Sequence, residues 1–127
     1  MIIPTEAQEQ AALFARCAAM EWKYPQLRLL YHTPNGGSRN SAEAANLRRQ
    51  GVKPGVPDIF LPVARCGYHG MYIELKRRKG GRLSAAQQRF ITAVRKQGYY
   101  AVVCYGADDA FNTIIIYLEG RVITHND

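Results

Sequence analysis

The sequence predicts an α/β fold, a mixed central β-sheet flanked by helices. Three observations predict it. Helix-like and strand-like segments alternate in the order α-β-α-β-β-α-β-α. The two adjacent strands are joined by a short Gly-containing turn, which reads as an antiparallel hairpin. Finally, 127 residues, 47% hydrophobic and 21% charged, are enough for one domain over residues 1–127 and too apolar for a disordered chain.

Thr5 is suited to cap a helix over about residues 6–22, with Gln10, Leu13, Phe14 and Cys17 at the spacing of one buried stripe and Glu6 one turn before it. Pro25 closes this helix. Residues 27–32 read as a strand, and residues 33–38, Thr-Pro-Asn-Gly-Gly-Ser, as a loop. Ser41 caps a short helix from Ala42 to Gln50, which Gly51 ends. Gly51, Pro54, Gly55 and Pro57 then forbid a helix and set the entry to the next strand.

Residues 58–63 and 71–76 read as the two hairpin strands, and Pro62 implies that part of the first lacks a partner on one side. Ser84 caps a helix over 85–97 that Gly98 ends. Tyr99 to Tyr105 forms a further strand with Tyr99 and Tyr100 on opposite faces, one packed and one available to a partner. Asp108 caps a last helix to Leu118. Its surplus of apolar residues, Phe111, Ile114, Ile115, Ile116 and Leu118, hints at a subunit interface.

Lys and Arg total 17 against 10 Asp and Glu, a net charge of +7 that favours a polyanionic partner. No apolar run is long enough to cross a membrane, and the N-terminus does not resemble a signal peptide. Cys17, Cys66 and Cys104 are odd in number and lack CxxC spacing. A disulfide framework and a structural zinc site are therefore not expected, and the cytoplasm is the expected compartment.

The chemistry-bearing residues are Pro57-Asp58 and Glu74-Leu75-Lys76. Side chains alternate along a strand, so Glu74 and Lys76 share a face. Centring the hairpin near Gly67 sets Asp58 across from Lys76, with Glu74 its diagonal neighbour, whereas a one-residue slip puts Asp58 on the other face. Two carboxylates this close need a cation between them, and hard oxygens suit Mg²⁺ or Mn²⁺. The Leu75 carbonyl is a natural further ligand, Glu6 a third carboxylate, and Lys76 is suited to sit beside the water or the phosphate. The same residues also occur as ordinary ion pairs on a strand, so a non-catalytic basic DNA-binding protein stays open.

At this point a resemblance enters. Pro4-Thr5-Glu6-Ala7-Gln8-Glu9-Gln10, Thr33-Pro34-Asn35-Gly36-Gly37, Gly55-Val56-Pro57-Asp58, Tyr72-Ile73-Glu74-Leu75-Lys76 and Gly81-Arg82-Leu83-Ser84-Ala85-Ala86-Gln87 occur in that order. Together they resemble the VRR-NUC domain of the PD-(D/E)xK nuclease superfamily. The resemblance implies a restriction-endonuclease-like core and a Mg²⁺- or Mn²⁺-dependent DNA endonuclease. It implies Glu6, Asp58 and Glu74 as metal ligands, Lys76 as catalytic, and Gln87 as the family's glutamine on the following helix. A stand-alone, phage-type member is further expected to act as a homodimer on branched DNA such as the Holliday junction. RNA as substrate is not excluded by the residues.

For the third acid, Glu6 matches the family position and shares the Gln10, Leu13, Cys17 stripe, while Glu9 lies about 60° off it at ~100° per residue. Arg77, Arg78, Lys79 and Arg82 form a cationic loop beside the site, suited to phosphates rather than bases. Arg48, Arg49 and Lys53 form a second cluster, and Arg39 sits in the Gly-rich loop. His32, His69 and His125 lack zinc-type spacing and read as structural or surface residues.

Overall fold

The computed structural model describes residues 2–34 and 40–123. The elements are α1 (Glu6–Ala19), a 3-10 turn (Pro25–Leu29), β1 (Tyr31–His32), α2 (Ser41–Arg49), β2 (Ile59–Leu61), β3 (Met71–Lys76), α3 (Ala85–Lys96), β4 (Tyr100–Tyr105) and α4 (Ala107–Leu118). The sheet order is β1-β2-β3-β4, with the first two pairings antiparallel and β3–β4 parallel. The fold is thus the mixed-sheet α/β arrangement that the sequence predicts. Among the described residues no helix is long and apolar enough to cross a membrane.

The hydrophobic pattern explains the layers. Met71, Ile73 and Leu75 of β3 are buried with Leu13 and Cys17 of α1 and with Ile114 and Tyr117 of α4. The alternate residues of β3 face the other way, where Tyr72 meets Phe90 of α3 edge-on at 5.9 Å. Glu74 and Lys76 belong to that second face. Thr5 with Gln8, and Ser84 with Gln87, cap α1 and α3 by reciprocal side-chain and backbone hydrogen bonds.

Several expectations are corrected. Residues 27–29, expected at the start of a strand, belong instead to a 3-10 turn over Pro25–Leu29, whose fixed-φ Pro25 sits in its first turn, and β1 keeps only Tyr31 and His32. Asn40, not Ser41, caps α2. Gly106, not Asp108, occupies the N-cap of α4 and has no side chain to offer. Tyr99 and Tyr100 both pack, Tyr99 against Tyr72 and His69, Tyr100 stacked on Tyr117. The apolar surplus of α4 closes the core: Ala110, Phe111, Ile114, Tyr117 and Leu118 are buried and Ile115 packs against them.

The hairpin register also differs. Ile59 pairs with Ile73, Phe60 with Tyr72 and Leu61 with Met71. One step further, this register sets Asp58 opposite Glu74 rather than Lys76. The cause lies in the connection. Its tip pairs Arg65 with Tyr68, with Cys66 and Gly67 both at positive φ (54° and 82°). After Pro62, the Val63 N–H donates to the Leu61 carbonyl at 2.9 Å, a tight bend that takes up an extra residue on one side only. Relative to the expected pairing the partner shifts by two residues, so Asp58 and Glu74 stay on one face.

Both margins of the sheet are blunted. β1 offers two residues. Along the outer edge of β4, Arg95 donates twice to the Ala101 carbonyl at 3.0 and 2.8 Å, and Asp109 accepts the Tyr105 N–H at 2.9 Å.

Candidate active site

β2 begins at Ile59, so Asp58 stands just outside the ladder and its side chain takes the place of a backbone acceptor. Asp58 Oδ1 accepts the Leu75 N–H at 3.0 Å. In extended backbone the N–H and C=O of one residue point to the same edge, so the Leu75 carbonyl also faces the Asp58 side, while the Lys76 carbonyl faces β4 and accepts the Gly106 N–H at 2.8 Å. The Asp58 carbonyl is held in turn by the Thr33 N–H at 2.7 Å and by His32 Nδ1 at 2.8 Å. A carbonyl can only accept, so Nδ1 carries the hydrogen and His32 serves as a structural brace.

The turn before Asp58 is fixed from the other side of the cleft. Gly55 has φ +82°, and a Cβ there would lie 2.3 Å from the Ala86 carbonyl oxygen. Only glycine lets the Gly55-Val56-Pro57 turn press on the first turn of α3. That contact brings Gln87 to the acids: Glu6, Asp58, Glu74 and Gln87 line one cleft of about 310 Å³. Gln87 Oε1 accepts the Ser84 N–H at 2.8 Å. The cap therefore holds the acceptor end of the amide and leaves the donor end for the cleft.

One carboxylate oxygen from each of Glu6, Asp58 and Glu74 lies within 4.8 Å of the others. Lys76 Nζ is 3.6 Å from Glu74 Oε2, and Glu74 and Lys76 are only 3% and 8% exposed. Burial, and then the neighbouring Asp58 carboxylate, push the Glu74 carboxyl up to about 7, with the Lys76 ammonium opposing. Burial also raises Asp58, against the pull of its Leu75 hydrogen bond. The donor set is all hard oxygen, with no sulfur or ring nitrogen, and it concentrates negative charge that only a cation or protons can offset. Oxygens shared by one small divalent cation lie up to ~4.2 Å apart, close to the spacing of these three carboxylates. The residues fit a divalent cation of this kind.

The sequence profile of the VRR-NUC domain family matches residues 3–108. The chain belongs to the VRR-NUC family. A solved structure described as a VRR_NUC domain protein is similar at 31% identity and a TM-score of 0.81, covering 93% of this chain and 91% of that one. No curated protein matches the chain. VRR-NUC is a nuclease-type family, and the matched span contains the carboxylates, Lys76 and Gln87 of this VRR-NUC domain.

The basic residues divide. Arg77 Nη2 donates to the Ile3 carbonyl at 3.1 Å, and its Nε is buried with no hydrogen-bond partner among the described residues. Arg78 holds Glu9 through Nε at 2.8 Å and Nη2 at 3.0 Å. Both bind the start of α1 to the end of β3 and so set where Glu6 stands. Lys79, Arg82, Arg48, Arg49 and Lys53 are exposed, Arg49 hydrogen-bonded to Asn46 at 3.4 Å. Arg39 and His125 lie outside the described residues.

Glu9 corrects the helix stripe read from sequence. The buried positions of α1 are Glu9, Leu13 and Cys17, while Gln10 is half-buried and Glu6 exposed. Besides Arg78, Glu9 Oε1 accepts the Ala107 N–H at 3.2 Å. It thereby supplies to α4, from another helix, the acceptor that Gly106 lacks. Nothing in local periodicity signals this. Neither does it signal Arg89, which lies in the depression next to the cleft.

Proposed function

We propose that this VRR-NUC domain is a Mg²⁺- or Mn²⁺-dependent endonuclease that hydrolyses phosphodiester bonds in DNA. The observation that carries the reading is the meeting of three carboxylates with Gln87 at one cleft, with the Lys76 ammonium beside Glu74. Glu6, Asp58, Glu74 and the Leu75 carbonyl would hold the ion. A bound divalent cation lowers the pKa of water and offsets charge on a phosphoryl oxygen. Lys76 is placed to orient the attacking water or to balance charge on the phosphate. Gln87 offers its amide hydrogens to the same space.

A preference for branched DNA such as a four-way junction, and action as a homodimer, extend the reading and rest on the resemblance of the motifs, while a cytoplasmic setting rests on the cysteine usage. Two sites related by a two-fold axis suit a symmetric junction. The test is a cleavage panel of single-stranded, duplex, flap and four-way-junction DNA, with single-stranded RNA beside it, in Mg²⁺, Mn²⁺ and EDTA. Wild type should cut only with metal, and Asp58→Ala and Lys76→Ala should lose cutting. Calorimetric titration with Mn²⁺ should show binding to wild type and none to Asp58→Ala. DNA binding without metal-dependent cutting by wild type would leave a non-catalytic basic domain.

A further inference from the structure

We propose that the exposed face of α3, from Lys53 through Arg89 to Lys96, is a phosphate track that carries a nucleic-acid strand away from the carboxylate cleft. This rests on the nuclease reading and adds to it the path of the substrate.

The first support is continuity. The cleft shares Pro54 and Ala86 with a neighbouring depression that Lys53 and Arg89 also line. Arg89 in turn borders a second depression reaching Thr92 and Lys96. Those two residues border a third, which ends at the outer edge of β4. The four depressions thus adjoin in series, from the acids along α3 to the edge of β4.

Charge is the second support. No Asp or Glu lies between Glu74 and Asp108, a stretch with eight Lys and Arg. The negative charge lining these depressions is confined to the cleft, where a cation would meet it. Lys53, Arg89 and Lys96 are exposed, and among the described residues none of them has a salt-bridge partner. By contrast, Arg77 and Arg78 are already engaged with Ile3 and Glu9.

Spacing is the third. Arg89, Thr92 and Lys96 stand at i, i+3 and i+7 on one helix face, so the two cations are ~10 Å apart along the axis. That is about three base-pair steps of duplex DNA. A hydroxyl between two cations suits a backbone with several phosphates, not one small anion. An acidic protein segment would satisfy the charges but has no phosphodiester to present to the cleft.

The test uses the full chain and a fluorescein-labelled 20-base-pair duplex in EDTA, which separates binding from cutting. Arg89→Ala/Lys96→Ala is compared with Lys23→Ala/Arg28→Ala, which removes equal formal charge from the turns that follow α1. The first double variant should lose about tenfold or more in affinity, and its log–log salt slope should fall by about 2 relative to wild type. The control should stay within about twofold. With Mn²⁺, both should hydrolyse bis(p-nitrophenyl) phosphate, which is too small to extend from the cleft along α3 to Lys96, at the wild-type rate. Equal affinity and slope for the two double variants would overturn the track, as would displacement of the duplex by polyglutamate at matched charge. Loss of small-diester hydrolysis in wild type itself would instead remove the nuclease reading, which the binding data do not touch.

Discussion

The Arg78 guanidinium grips the Glu9 carboxylate at two points, 2.8 and 3.0 Å, with Glu9 only 2% exposed. The pair joins the residue after the Glu74-Leu75-Lys76-Arg77 run to the helix that carries Glu6. The Arg78 guanidinium, first through its hydrogen bonds, holds the Glu9 carboxyl below its ordinary range.

Glu6 and Glu9 should therefore fail differently. Glu9→Ala leaves α4 without its acceptor and Arg78 without its partner, and should cost about 2 kcal/mol of stability. Glu6→Gln should keep the wild-type melting temperature but bind Mn²⁺ at least about tenfold more weakly. Thermal unfolding and calorimetry on both variants check the split. A stable Glu9→Ala protein would mean the buried pair contributes nothing.

Without metal, stability should peak in mildly acidic solution. Glu9 has a lowered pKa, so its contribution is present above its unfolded value of 4.5 and is lost as pH falls below that. Glu74 has a raised pKa, so the folded state holds its proton more tightly than the unfolded one. Stability then falls as pH rises from 4.5 through about 7. That shift corresponds to ~3 kcal/mol. Millimolar Mg²⁺ or Mn²⁺ should restore much of the loss at pH 8 by binding the folded state alone, and Glu74→Gln should raise the metal-free melting temperature there. Scanning calorimetry from pH 4 to 9, with and without metal, reads both effects.

Gly55→Ala should be among the most damaging single changes in the chain. It combines a positive φ with a Cβ placed 2.3 Å from the Ala86 oxygen. Gly51 has φ +101° but open space around it, so Gly51→Ala should cost only the ~1 kcal/mol of backbone strain. Urea midpoints for the two should differ by the cost of the collision. Equal midpoints would mean that the turn and α3 are not locked together.

Gly81→Ala tests the lysine. A Cβ at Gly81 would lie 2.9 Å from Lys76 Cβ, an atom fixed by the strand. The expected result is a tenfold or greater fall in kcat with Mn²⁺ affinity within about threefold of wild type, because the acids are untouched. A parallel loss of Mn²⁺ affinity would show that the change reaches the carboxylates.

Most of the fold is legible in the sequence because its signals are local. Thr5 and Ser84 stop the chain where caps belong, β3 carries apolar Met71, Ile73 and Leu75 at alternate positions, and β4 is apolar along most of its length. Glu6, Asp58 and Glu74 are readable as a group because a helix start, the entry to β2 and the paired strand β3 carry them. The register is less so: Pro62 and Val63 absorb an extra residue in a bend that alternation cannot reveal. Glu9 looks like any first-turn acid until Arg78 and Ala107, 98 positions away from it in the second case, are brought beside it. Likewise, Arg77 and Arg78 read as free cations because their partners lie at the other end of the chain. Arg89 reads as an ordinary helical surface residue until Lys53 and Pro54 arrive next to it.

The guarded outer strand bears on how copies of this protein behave when crowded. A neighbour seeking to add its own strand would first have to unseat Arg95 and Asp109, and at the opposite margin it would find only two residues to hold. Growth of ribbon-like aggregates is thus discouraged at either end. Purified material should tolerate concentration well, and any partner copy must dock on helices or loops.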